Sequence, residues 1–169
     1  VPISLYGQTK KMAEEVIMER ENSTSLRLAT VFGSSQRMRY DLLVNDFVRK
    51  AYSDHFLVLY EENFMRNFIH IQDVVNSFQF CIKNQSTMPG EILNLGHPKL
   101  NMTKQDLCEH VKGIFPELKI LKGAQAKDPD KRNYLVSNEK ILQKGFVPQW
   151  NLTDGIQEII KTLRMTIPI

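Results

Sequence analysis

Short runs rich in β-branched and aromatic residues alternate with longer stretches whose apolar residues recur at helical spacing, and this alternation restricts the chain to an α/β fold. Residues 8–19 read as a helix, with Met12, Val16 and Ile17 apolar and Glu14 and Glu15 polar. Residues 26–32 follow as a buried strand that Gly33-Ser34-Ser35 ends. An amphipathic helix is predicted over 41–52, its inner face formed by Leu43, Phe47 and Ala51. Short strands come next at 56–60 and 68–71. The second leads at once into a helix with Val74, Val75, Phe78 and Ile82 on one side. After Pro89-Gly90, residues 91–95 form another strand. Thr103 then opens a helix with Asp106 three positions on, as in a capping box, and Leu107, Val111 and Ile114 face inward. Two further helices are predicted at 137–144 and 153–163, the last with Ile156, Ile159, Ile160 and Leu163 at helical spacing. The polar stretch 122–133 reads as a surface loop.

A chain of 169 residues with 42% hydrophobic content can bury a sizeable core. The net charge of +3 comes from both signs scattered along the sequence, which argues against a nucleic-acid groove and remains compatible with an anionic small ligand. No apolar stretch approaches the roughly 20 residues of a membrane span. Cys81 and Cys108 sit in apolar helical patterns and read as buried free thiols, in keeping with a reducing, cytoplasmic setting. His55, His70, His97 and His110 show no metal-ligand spacing with each other or with the cysteines, so no metal site is expected.

Tyr6 and Lys10 are four residues apart at the start of the first helix, a spacing that stacks both on one face about 6 Å apart at Cβ. A phenol titrates near ~10 in water and is a poor base at neutral pH; a neighbouring ammonium favours the phenolate. A tyrosine tuned in this way can remove a hydroxyl proton while the carbon beneath gives up hydride. By itself the pair is also compatible with an ordinary solvated helix face.

The surrounding residues are more specific. Pro2-x-Ser4-x-Tyr6-Gly7-x-x-Lys10-x-x-x-Glu14 resembles the active-site helix of the extended short-chain dehydrogenase/reductases that act on nucleotide-activated sugars. Leu26 to Gly33 is similar to the family's next sheet strand, and Arg66-Asn67-Phe68-Ile69-His70-Ile71-x-Asp73-Val74 to its Arg-x-Phe-x-His-Val-x-Asp-Val segment. Gly90-Glu91-Ile92-Leu93-Asn94-Leu95-Gly96 resembles a later strand. Asp130-x-Arg132-x-Tyr134, Gly145-Phe146-x-Pro148 and Leu152-x-x-Gly155-Ile156 resemble the family's tail. The matches run in order over nearly the whole chain.

The resemblance implies the C-terminal part of a Rossmann-type doubly wound sheet plus a small α/β substrate-binding domain. Residues 1–35 would be the last helix and strand of the dinucleotide-binding domain, and 36–169 mostly the substrate-binding region, with 65–83 returning to the sheet. It implies an NAD(P)-dependent nucleotide-diphosphate-sugar epimerase or dehydratase, with Tyr6 as general base and Lys10 tuning it and bonding the nicotinamide ribose. Leu28 and Val31 would lie by the cofactor. Thr30 stands where the family often has a substrate-contacting Asn. Met38, Arg39 and Asn45 would face sugar or base, and Arg66, Arg132 and, more weakly, Lys127 would hold phosphate. Tyr134 would face the nucleotide or simply pack. Asp73 would cap its helix, and His70 would be a hydrogen-bonded packing residue. A homodimer is implied through the Tyr6 helix.

The family's glycine-rich phosphate turn is not in this sequence; the eight glycines are scattered. The chain by itself is therefore expected to be inactive. A non-catalytic nucleotide-sugar-binding module or a dimerisation module derived from the family stands as the alternative.

Overall fold

The computed structural model describes residues 4–123 and 133–166, so Arg132, Lys127, Asp130 and most of the 122–133 connection lie outside the described residues. Helix α1 (Leu5–Met18) begins earlier than its apolar spacing predicts because Ser4 caps it, the Ser4 hydroxyl accepting from the Gly7 N–H at 3.1 Å. The strand expected at 26–32 is divided into β1 (Ser25–Leu28) and β2 (Thr30–Phe32), which take different partners. β1 runs parallel to β5 (Ile92–Leu95), whereas β2 runs parallel to β4 (Met65–His70). Nor is this segment wholly buried as expected. Among the described residues β5 is the only strand beside β1, and Leu28 remains 46% exposed.

The remaining elements are α2 (Leu43–Ser53), β3 (Phe56–Leu59), α3 (Ile71–Lys83), β6 (Asn101–Thr103), α4 (Lys104–Ile114), β7 (Lys119–Lys122), α5 (Glu139–Gln143) and α6 (Leu152–Thr166). β6 pairs antiparallel with the other side of β4, and β7 runs parallel to β3. Alternate residues of a strand face opposite ways, and β4 uses this to wall off two apolar clusters. Phe68 packs with Phe32 and the buried faces of α2, α4 and α6, including Phe47, Leu107, Ile156 and Leu163. Ile69 packs with Val74, Leu93, Leu95, Ile141 and Phe146. The capping box at Thr103 is present as the sequence suggests: its hydroxyl accepts from the Asp106 N–H while the Asp106 carboxylate accepts from the Thr103 N–H. Among the described residues no helix is long and apolar enough to cross a membrane.

Helix α3 departs from expectation in two respects. The stripe Val75, Phe78 and Ile82 points to solvent, and the buried residues are Asp73, Val74 and Ser77. His70, not Asp73, caps the helix, its Nδ1 accepting from the Gln72 N–H at 3.2 Å. The fully buried Asp73 carboxylate accepts from the backbone N–H groups of Gln149 (2.9 Å) and Trp150 (3.0 Å). It thereby ties α3 to the segment that leads into α6, and this tie sets which side of α3 faces inward.

Replacing Asp73 with Ala leaves two backbone donors without their acceptor, at a cost of about 3 kcal/mol, read as a lower urea midpoint. A pH effect follows from His97, which is buried and whose Nδ1 accepts from the Lys99 N–H at 3.1 Å. Burial holds His97 below the usual imidazole range. Its contribution to stability is therefore full above about pH 6.5 and is lost as pH falls through the depressed value. In His97→Gln the unfolding midpoint should vary less between pH 7 and pH 5 than in the wild type.

Candidate active site

A cavity of about 760 Å³ opens between the start of α1, the β1–β2 run, the loop entering α2, and the β4–β6 pair. Tyr6, Leu28, Thr30, Val31, Arg39, Asn45 and Arg66 all line it, together with Asp41, Asp46, Lys104 and Tyr134. Seven of the ten site residues singled out from sequence thus meet around one space although they are scattered over sixty positions of chain. Lys10 is not on the cavity wall, but its Nζ lies 5.6 Å from the centroid of the Tyr6 ring, as the one-turn spacing requires. Met38 does not line the cavity either. It packs against the apolar cluster under the loop, and its sulfur accepts from the Ser35 N–H at 3.2 Å.

The position of Tyr6 depends on how α1 is held. No residue of α1 is buried. Its polar attachment to the sheet is Glu14, whose carboxylate accepts from the Arg27 guanidinium (Nε at 2.9 Å) and from the Ser25 hydroxyl (2.7 Å). The Arg27 hydrogen bond holds the Glu14 carboxyl below the usual range. Tyr6 itself is 68% exposed, its ring standing at the cavity edge.

The loop between β2 and α2 forms another wall, and Asn45 organises it. The Asn45 side chain is 2% exposed; its Oδ1 accepts from the Gly33 N–H (3.2 Å) and its Nδ2 donates to the Arg39 carbonyl (3.1 Å). The amide is therefore committed to the backbone on both sides, which makes it a brace for the loop. Gly33 can close the strand because its φ of 115° is accessible to glycine, and a Cβ there would meet the His70 ring. Arg39 makes a two-point ion pair with Asp41 (2.8 and 2.6 Å). That pairing pulls the Asp41 carboxyl down to about 2 and raises Arg39. Asp46, the other acid on the cavity, is bound by Lys50 at 2.7 Å.

Arg66 is 3% exposed, and its guanidinium lies 5.8 Å from the centroid of the Tyr134 ring. Lys104, also 3% exposed, was not identified from sequence. It follows directly after a helix cap in a stretch that reads as surface, and its cavity position arises only from the pairing of β6 with β4. The space combines a phenol, an apolar strip (Leu28, Val31) and buried cations. Phenolic, apolar and charged groups therefore meet on one surface, a combination common in ligand pockets.

Substituting Asn45 by Ala should speed hydrogen exchange at the Gly33 amide and lower stability by about 2 kcal/mol, because one backbone donor and one acceptor lose their partner.

The family model described as the NAD dependent epimerase/dehydratase family matches residues 1–96. A curated relative, the dTDP-L-rhamnose 4-epimerase of Burkholderia thailandensis, is 27% identical over 171 residues, covering 94% of this chain and 46% of that protein. Among solved structures, the UDP-glucuronic acid 4-epimerase of Bacillus cereus, in complex with UDP-glucuronic acid and NAD, matches with a TM-score of 0.84 at 20% identity, over 98% of this chain and 54% of that one. The dTDP-glucose 4,6-dehydratase of Bacillus anthracis, in complex with NAD, matches with a TM-score of 0.80 at 19% identity, over 98% of this chain and 53% of that one. The chain spans about half the length of these relatives, and the structural matches establish a common Rossmann-like α/β fold. With the family model covering more than half of its residues, the chain belongs to the NAD-dependent epimerase/dehydratase family.

Proposed function

We propose that this chain supplies the catalytic helix and the sugar-nucleotide side of an NAD(P)-dependent nucleotide-diphosphate-sugar epimerase or dehydratase, residues 1–35 completing the dinucleotide-binding domain and 36–169 forming mostly the substrate-binding region. The observation that carries this reading is that Tyr6 and Arg66 line one cavity together with Leu28, Thr30 and Val31. The relatives named above act on dTDP- and UDP-linked sugars by name, which supports the same substrate class here.

The residues present fit one end of a dinucleotide. Leu28 and Val31 offer an apolar strip on the cavity wall beside the Tyr6–Lys10 pair, where a nicotinamide and its ribose would lie. When bound, the nicotinamide supplies the acceptor for hydride from a sugar carbon. Tyr6 takes up the hydroxyl proton from that carbon's alcohol, and the Lys10 ammonium near its ring favours the anionic phenol oxygen that this proton neutralises. Arg66 holds a phosphate with two parallel N–H donors, a match for the planar guanidinium. Arg39 and Thr30 face the sugar, and Asn45 keeps the Arg39 loop in place. Arg132 remains a further phosphate candidate outside the described residues. The chain contains no glycine-rich phosphate turn, so the 169 residues alone are inactive and turnover requires the dinucleotide-binding half. The outward apolar residues of α1, Met12, Val16 and Ile17, support pairing with a second copy through this helix.

In the full-length protein, Tyr6→Phe should lower turnover at least about 100-fold while NAD still binds, the magnitude expected for loss of a general base. Turnover near the wild-type rate would overturn the assignment.

A further inference from the structure

Two donors from different elements converge on one oxygen of Glu158. The Ser34 N–H donates to Oε2 at 2.8 Å, and the His70 ring, whose Nδ1 accepts from the Gln72 N–H, donates to the same atom from Nε2 at 2.9 Å. The His70 side chain is wholly buried, whereas that of Glu158 is 33% exposed. Helix α6 can bring its carboxylate so near because Gly155, on the same face one turn earlier, has no side chain; a Cβ there would meet the rings of Phe32 and His70. Trp150, just before the helix, stacks on the His70 ring, and Phe32 meets its edge. One turn beyond Glu158, the Thr162 hydroxyl meets that of Ser34 at 2.7 Å. Ser34 stands between Gly33 and Ser35, both on the cavity wall, at the head of the loop that carries Arg39 and Asp41.

We propose that Glu158 is a positioning residue for the site, a latch whose Oε2 holds the head of the cavity-wall loop against the buried His70. The inference rests on the nucleotide-sugar reading and the domain division above, and extends them to a helix of which no residue lines the cavity. In that division Ser34 belongs to the dinucleotide-binding portion and His70 to the segment returning to it, while α6 packs with α2 in the substrate-binding region. Apolar packing between such portions is non-directional. Two N–H donors meeting at one carboxylate oxygen fix distance and angle as well, and the charge on the acceptor strengthens both bonds. Asn45 braces the loop from within, between Gly33 and Arg39, and Glu158 ties its head to a different helix. Without the Glu158 oxygen, a backbone donor and a buried ring donor lose their acceptor, and the loop spends less time where Arg39 faces the ligand.

The test uses the full-length protein and two variants. Glu158→Ala removes the acceptor, whereas Glu158→Gln keeps a carbonyl oxygen that can take both donors. Binding of UDP-, dTDP-, GDP- and CDP-glucose is measured by calorimetry, NAD binding by fluorescence, and hydrogen exchange at the Ser34 amide, all on the same samples. In Glu158→Ala, exchange at Ser34 should be about tenfold faster, as expected on losing one charge-assisted hydrogen bond, and the preferred nucleotide-sugar should bind about fivefold more weakly with NAD binding unchanged. Glu158→Gln should recover most of both losses. Wild-type affinity for the nucleotide-sugar in Glu158→Ala overturns the proposal, and so does a Glu158→Gln variant as weak as Glu158→Ala. A fall in NAD binding as large as that for the nucleotide-sugar would mark Glu158 as a general support of the fold, and would overturn it as well. A wild-type protein that binds NAD but none of the four nucleotide-sugars would instead bring down the nucleotide-sugar reading, and the Glu158 assignment with it.

Discussion

The molecule is organised by a strand that is buried and yet half polar. β4 carries Arg66, Asn67 and His70, none more than 3% exposed, in line with Phe68 and Ile69. A buried polar group costs free energy unless it is hydrogen-bonded, so the surroundings of this strand are tightly specified. The Asn67 amide donates to the His97 carbonyl and receives a longer bond from Asn138. His70 accepts at Nδ1 from the start of α3, which leaves the proton on Nε2 to donate to Glu158 at 2.9 Å, while its ring stacks on Trp150 at 4.0 Å. A slip of β4 by one residue would exchange these partners for the two apolar clusters on either side.

The loop at the cavity mouth is held from the same strand. Glu158, bonded to His70, also accepts from the Ser34 N–H at 2.8 Å, and the Ser34 hydroxyl meets that of Thr162 at 2.7 Å. Asn45 secures the next part of the loop. Helix α6, near the end of the chain, is thus joined to a cavity wall built more than a hundred residues earlier.

What could be read from sequence was what depends on near neighbours along the chain. The inward face of α6 and the capping box of α4 follow from spacing, and Ile156, Ile159, Ile160 and Leu163 are buried as their period requires. The Tyr6–Lys10 proximity likewise follows from one turn of helix. Partners that arrive from far away were not readable. The acceptor role of Asp73 depends on backbone 76 residues on, and nothing near Asp73 marks it. β6 is three residues long with a polar start, too short to show a period, so its pairing with β4 and the resulting place of Lys104 were missed. The apolar stripe of α3 misled for a different reason: periodicity reports that a face is apolar but not what covers it.

Helix α1 carries the phenol, yet it contributes nothing to either apolar cluster and is steadied on the sheet side by the grip of Glu14 on Arg27 and Ser25. Among the described residues, neither apolar cluster backs up that carboxylate in holding the helix. Whatever surface settles on Met12, Val16 and Ile17 therefore also aims Tyr6. If Tyr6 acts as proposed, whatever covers this outer side of α1 bears on the chemistry with every cavity residue intact.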